Sequence, residues 1–156
     1  MPRLHRLSEI ARKTLETHPC VVNDTAPWTR LSKSLAEARV ALVTTAGIHV
    51  RGDRPFTPGE QTFRIIPAST PARDIVQSHT SIGFDRSDIQ RDLNVAFPVD
   101  RLRELVEQGE LGSLADTFYS FMGAQRTYDG LIDDAAPEVA HRLKADGVDV
   151  VLMNGT

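Results

Sequence analysis

The chain has 156 residues, 40% hydrophobic and 25% charged, with a formal net charge of −3. That length supports one domain with a real core, and both fractions lie near globular averages, which excludes global disorder and fibrous repeats. No apolar run approaches the ~20 residues that span a bilayer, and the single cysteine, Cys20, excludes an internal disulfide and a multi-cysteine zinc cage.

The basic start, MPRLHRLSEIARK, lacks the continuous apolar stretch of a secretory signal, so the expected location is cytoplasmic. Residues 1–54 carry nine Lys or Arg against five Asp or Glu, and residues 55–156 carry nine against sixteen. The basic residues are spread out without aromatic interleaving, which argues against nucleic acid as a partner. Residues 1–25 read as a helical arm and connector. In residues 4–15, Leu4, Leu7, Ile10, Ala11 and Leu15 share one helical face, and His18-Pro19 ends the helix. Trp28, the only tryptophan, is expected to anchor this arm.

Residues 26–156 read as an α/β domain. Residues 39–45, RVALVTT, form a buried strand that opens into Ala46-Gly47. A short strand is expected at 62–66 between loops, and residues 74–94 are polar with no clean period. A helix begins at Pro98-Val99-Asp100 with Asp100 as its cap, turns Leu102, Leu105 and Val106 inward, and stops at Gly109. Residues 112–123 form a glycine-bounded segment containing Phe118, Tyr119, Phe121 and Met122. A last helix takes Pro137 at its first position and ends at Gly147, and residues 148–153, VDVVLM, form a second buried-strand run. Helix, glycine, strand in that order is one limb of a parallel sheet.

The expected fold is therefore a three-layer α/β domain with a mainly parallel sheet, flavodoxin-like or Rossmann-like, preceded by a helical arm. Chemistry in such sheets sits just beyond the strand carboxyl ends. The sequence stops three residues after an apolar strand, which would leave one sheet face partly uncovered. Two readings stand: a domain incomplete at its C-terminus, or a small domain completed by an oligomeric partner.

Several blocks carry a resemblance. They are PWT at 27–29, ARVALVTTAGIH at 38–49, TFRIIP at 62–67, SH at 78–79, DLNVAFPVDRL at 92–102, SFMG at 120–123 and LKADGVDVVLM at 143–153. In order and spacing they resemble selenoprotein B of the glycine, sarcosine and betaine reductases and the related subunit of D-proline reductase. The resemblance implies reductive cleavage of the C–N bond of a small amine or cyclic amino acid. It implies a selenocysteine or cysteine shortly after the strand at 148–153, with Thr156 preceding a UGA codon in a longer protein. The nucleotide sequence after codon 156 tests this. It also implies a partner subunit bearing a pyruvoyl group and a thiol or selenoprotein reductant; a homo-oligomer and a small amine substrate are the other expected partners. Selenium suits the task because a nucleophile must be ionised, whereas an ordinary thiol has a pKa of ~8.5. No redox group lies within residues 1–156, so this stretch alone should have no reductase turnover.

Candidate site residues follow from the strand ends and the resemblance together. His49, after the turn at 44–47, is read as a general acid or a substrate carboxylate contact beside Thr44 and Thr45; a loop histidine bonded to local carbonyls is the alternative. His79 is read as a second catalytic residue. A cation held by His79 with Asp85, Asp88 and Asp92 is the lesser reading, because the spacing matches no established metal loop. Arg64 is a candidate carboxylate clamp or a structural ion pair, Asn94 a substrate contact or a turn pin, and Ser120 a pocket-lining hydroxyl. Cys20 reads as an incidental thiol, and His5, His18 and His141 as surface residues. There is no Walker-type or dinucleotide loop. Two other functions compete with the reductase subunit: a non-catalytic binding or assembly module of the same fold, and a metal-dependent lyase or hydrolase using His79.

Overall fold

The structure is a computed structural model that describes residues 3–17, 22, 24–26, 28–81 and 83–155. The chain divides into two units, Met1–Arg30 and Leu31–Thr156. In the first, the helix expected over 4–15 is split into a 3-10 turn at Leu4–Arg6 and α1 at Glu9–Glu16. Ser8 causes the break: it is extended, and its hydroxyl accepts the Ala11 N–H at 3.3 Å, so the helix starts afresh behind a serine cap. No residue of α1 is buried. Within this first unit Trp28 is exposed. His18-Pro19, Cys20 and Pro27 lie outside the described residues.

The second unit runs β1 (Arg39–Thr44), β2 (Ile48–Val50), β3 (Phe63–Pro67), β4 (Ile75–Gln77), α2 (Ser87–Arg91), α3 (Val99–Glu107), β5 (Ser113–Leu114), β6 (Thr117–Phe121), α4 (Ala136–Ala145) and β7 (Val150–Asn154). β1 is central. β7 lies parallel on one side, from Val40 opposite Val150 to Thr44 opposite Asn154. On the other side β5 pairs with the start of β1 and β6 with its end, both parallel. β3 closes that side antiparallel to β6. The result is an α/β fold with a mixed, mostly parallel sheet flanked by helices in a flavodoxin-like arrangement, as the sequence indicated.

The apolar, β-branched run of β1 is buried along Val40 to Thr44, as a strand covered on both faces requires. Phe97 and Phe118 meet edge to face at 5.8 Å in the same core, which α3 supplies with Val99 and Leu102 and α4 with Val139 and Leu143. At Gly112 an added Cβ would lie 2.6 Å from the main chain of Glu37, so only glycine lets β5 approach the start of β1. β7 forms an edge with Val151, Leu152 and Met153 exposed, matching the expectation of an uncovered apolar strand.

The stretch 74–94, polar and without a clean period in the sequence, holds β4, which pairs antiparallel with β2 in a separate ribbon, and the short helix α2. One expectation is corrected. Asp100 is not the cap of α3. Pro98 occupies that position and has no acceptor, so the Asp100 N–H is satisfied from upstream by Asn94 Oδ1 at 3.0 Å.

Candidate functional site

The register of the sheet brings Arg64 on β3, Ser120 on β6, Thr44 on β1 and Asn154 on β7 into one row across four strands. Directly paired residues point to one face of a sheet, and the bonds agree. The Thr44 hydroxyl donates to the Ala96 carbonyl at 2.9 Å, and Asn154 Nδ2 reaches the adjacent Val95 carbonyl at 3.4 Å. Together they hold the turn at Leu93–Val95 over the carboxyl ends of β1 and β7. Thr44 also accepts the Ala46 N–H at 3.2 Å, and the Ser120 hydroxyl accepts the Ile48 N–H at 3.0 Å. Both side chains are fully buried, so they build the turn between β1 and β2. The Thr45 N–H donates to the Asn154 carbonyl at 3.1 Å, joining the ends of β1 and β7 where the strand order reverses about β1.

A Thr44→Val replacement keeps shape and removes both bonds, leaving the Ala96 carbonyl and the Ala46 N–H without that partner. It is expected to cost about 1–3 kcal/mol, read from urea denaturation, with Thr44→Ser, which keeps the hydroxyl, sparing most of that loss. Equal stability of the valine variant would show that these bonds contribute nothing net.

His49 lies within β2, opposite Val76, and is only 4% exposed. Its Nδ1 is 2.9 Å from the Val50 carbonyl, which can only accept. Nδ1 therefore carries the proton, and Nε2 is left buried without a partner among the described residues. His79 shows the opposite arrangement. The Ser81 N–H donates to its Nδ1 at 3.2 Å, so in the neutral ring Nε2 holds the proton, again buried and unpartnered among the described residues. Burial, helped by the nearby Arg86 cation, holds the His79 imidazole below its usual range and keeps it neutral. The ring stacks on Phe84 at 4.5 Å, and Arg86 donates to the His79 carbonyl. The pairing of β2 with β4 sets His49 beside Val76, while His79 follows two residues after the end of β4.

Arg64 is spent on an internal pair. Its guanidinium bonds Glu60 at 2.7 Å and the carbonyls of Arg54 and Pro55, and lies over the Phe56 ring at 4.2 Å. Asn94 is equally committed, bonding Asp92 and both the N–H and the carboxylate of Asp100. The acidic residues after His79 do not converge on it. Asp85 accepts the Ser87 N–H, Asp88 faces Arg91 and Asp92 holds Asn94. Among the described residues, no group of three or more His, Cys, Asp or Glu side chains is placed to hold a metal ion.

Beside these strand ends lies a cleft of about 640 Å³ that sequence reasoning missed. Three segments line it: Pro58 and Gly59, Thr80 and Ser81 after β4, and Ala124 to Thr127 after β6. Gln125 Nε2 donates to the carbonyls of Glu60 and Met122, and Gln61 Nε2 to the carbonyl and hydroxyl of Thr127. These bonds clasp the loop before β3 to the loop after β6. The only signal in the sequence was the glycine at 123, which marks a strand end without marking the polar residues beyond it.

Fold and site together define a flavodoxin-like α/β domain with hydroxyl- and amide-rich strand ends beside an open polar cleft. The family model for glycine/sarcosine/betaine reductase selenoprotein B (GRDB) matches residues 7–156, and the chain belongs to that family. It is 38% identical over 127 residues to the D-proline reductase subunit gamma of Acetoanaerobium sticklandii, covering 81% of this chain and 52% of that one. It is 31% identical over 136 residues to the betaine reductase complex component B subunit beta of Peptoclostridium acidaminophilum, covering 80% and 29%. With the sarcosine reductase complex component B subunit beta of the same organism it shares 29% over 143 residues, covering 89% and 33%. The chain thus spans about half the length of the first relative and about a third of the others. No solved structure matches it significantly. Membership links the chain at family level to reductase subunits and an oxidoreductase-related role. No helix among the described residues is long and apolar enough to cross a membrane.

Proposed function

We propose that this chain forms part of a cytoplasmic selenoprotein-B-type subunit that reductively cleaves the C–N bond of a small amine or amino acid of the glycine, sarcosine, betaine or D-proline class. The observation that carries the reading is the family match over residues 7–156, which takes in every strand of the sheet and both histidines. The bonded side chains of Thr44, Ser120 and Asn154, with the Thr45 N–H joining the ends of β1 and β7, support the reading by giving a residue after β7 a rigid frame. A selenocysteine or cysteine following β7 would supply an ionised nucleophile, and a pyruvoyl group on a partner subunit would make the substrate carbon electrophilic.

The residues of this chain then position and protonate. Thr44, Thr45, Ser120, Asn94 and Asn154 fix the strand ends and the turn above them. Because Val50 holds the Nδ1 proton of His49, Nε2 is the atom that takes up a proton and returns it to the leaving amine. His79 stays neutral and presents its Nε2 hydrogen as a donor. A second reading, an assembly module, draws support from the exposed apolar residues of β7, which also suit a homo-oligomer.

The test is expression of the complete reading frame with a pyruvoyl-bearing partner and assay of dithiol-dependent C–N cleavage with the four substrates. Turnover is expected with at least one, and it should vanish when the chalcogen residue becomes serine. His49→Gln should lower kcat by about 10²-fold or more. Absence of cleavage with all four substrates overturns the reading.

A further inference from the structure

The cleft after β4 and β6 has one wall fixed by the buried His79 and the other by part-buried amides. On one side His79 accepts the Ser81 N–H, its ring rests on Phe84 and its carbonyl is held by Arg86. On the other, Gln125 and Thr127 are pinned by the bonds to Glu60, Met122 and Gln61. Between them Ala124 sits at φ +55°, a left-handed conformation that costs an L-residue roughly 1–2 kcal/mol. Such strain persists where neighbouring bonds over-determine the backbone.

The lining contains one charged side chain, Arg126, three hydroxyls, from Thr80, Ser81 and Thr127, and no carboxylate. Among the described residues Arg126 makes no ion pair and no side-chain hydrogen bond. The other cations near this end of the sheet are already occupied: Arg54 and Arg64 by Glu60, and Arg86 by the His79 carbonyl. A cleft of this size falls within the ~300–1,000 Å³ of small-ligand sites.

We propose that this cleft binds a small aliphatic carboxylate, paired with the Arg126 guanidinium and supplemented by the Thr80 and Ser81 hydroxyls. A planar guanidinium matches a planar carboxylate with two parallel bonds. Phosphate sites instead gather several main-chain N–H groups at a helix start or a glycine nest, and the Ser81 N–H is already taken by His79. That the carboxylate belongs to an amine substrate rests on the reductase reading; the preference for a carboxylate does not. Arg126 thus takes the clamping role for which sequence reasoning selected Arg64.

Ligand-observed NMR and calorimetry on the full chain should show saturable binding of glycine, betaine or D-proline. Methylamine and pyrrolidine, which lack the carboxylate, should not bind. Arg126→Gln is expected to weaken binding about tenfold or more, with Arg126→Lys intermediate. The thermal midpoint should not move in either variant, because Arg126 makes no side-chain bond among the described residues. No carboxylate binding, equal affinity in Arg126→Gln, pyrrolidine binding as tightly as D-proline, or tighter binding of inorganic phosphate each overturns the proposal. Binding that depends on Arg126 without any C–N cleavage counts against the reductase reading and leaves the site standing. Cleavage with no carboxylate binding at Arg126 overturns the site alone.

Discussion

Replacing Gly47 with alanine is expected to destabilise the domain by about 2–5 kcal/mol, the sum of a left-handed backbone penalty and an overpacking penalty. Gly47 has φ +61°, and a Cβ there would lie 3.0 Å from His79 Cα and 3.2 Å from both its N and its Cβ. Two of these three atoms are main chain, so no rotamer change relieves the contact. The Gly47 carbonyl also accepts the Ser78 N–H, and its own N–H donates to the Phe121 carbonyl, so the residue ties the β2–β4 ribbon to the end of β6. Gly52 separates the two contributions. At φ +97° with open space around its Cβ, Gly52→Ala carries the backbone cost alone. Guanidinium denaturation of both variants should show Gly47→Ala losing clearly more. Equal losses would mean that the His79 strand yields freely, and that the ribbon does not fix the cleft wall.

That contact explains which parts of the fold could be read in advance. β1, β3, α3, α4 and β7 carry their signal locally, as an apolar run, a proline at a helix start or a glycine at its end. β2 and β4 have three residues each and no period of their own; they exist because each pairs with the other across 27 residues of chain, His49 to Val76. The same limit applied to the site. Thr44, Ser120 and Arg64 were found because they stand at strand ends or in a strand, and register puts all three in one row. Their bonds to Ala96, Ile48 and Glu60 depend on where distant chain returns, so commitment to internal structure was not legible. For Asn94 and Arg64 the structural options weighed in the sequence match the bonds observed. Arg126 carries no sequence signal because a polar loop residue has no pattern, and its lack of a partner among the described residues emerges only beside the occupied Arg54, Arg64 and Arg86.

The functional picture then divides labour between two neighbouring regions. The strand ends are built of bonded, buried hydroxyls and amides, which give rigidity rather than a free ligand shell. The adjoining cleft offers Arg126, a charge unpaired among the described residues.

The second large effect is expected at Glu60. Its side chain is 7% exposed and its partner Arg64 is 10% exposed. One carboxylate oxygen accepts from Arg54 at 2.5 Å, Thr62 at 2.5 Å and Arg64 at 2.7 Å; the other accepts the Thr57 N–H and hydroxyl at 3.0 Å. Burial pushes the carboxyl pKa up, but the bonds from Thr62, Arg64 and Thr57 outweigh it and hold the group well below the ordinary carboxylate range. A depressed folded-state pKa gives stability that is fully present above the unfolded value of about 4.3 and is lost as pH falls toward the folded one. Glu60→Gln should therefore cost about 3 kcal/mol or more at pH 7, since it leaves Arg64 buried and uncompensated. The gap from the parent protein should hold down to about pH 5 and narrow steadily below about pH 4.5. Urea denaturation at pH 7, 5, 4 and 3 measures this, and a gap unchanged at pH 3 would falsify the ionic origin of the stabilisation. Because the Glu60 carbonyl also holds Gln125, the same variant should weaken carboxylate binding at Arg126, although residue 60 does not touch that guanidinium. Unaltered binding in a destabilised Glu60→Gln protein would show that the clasp stabilises the fold without shaping the cleft.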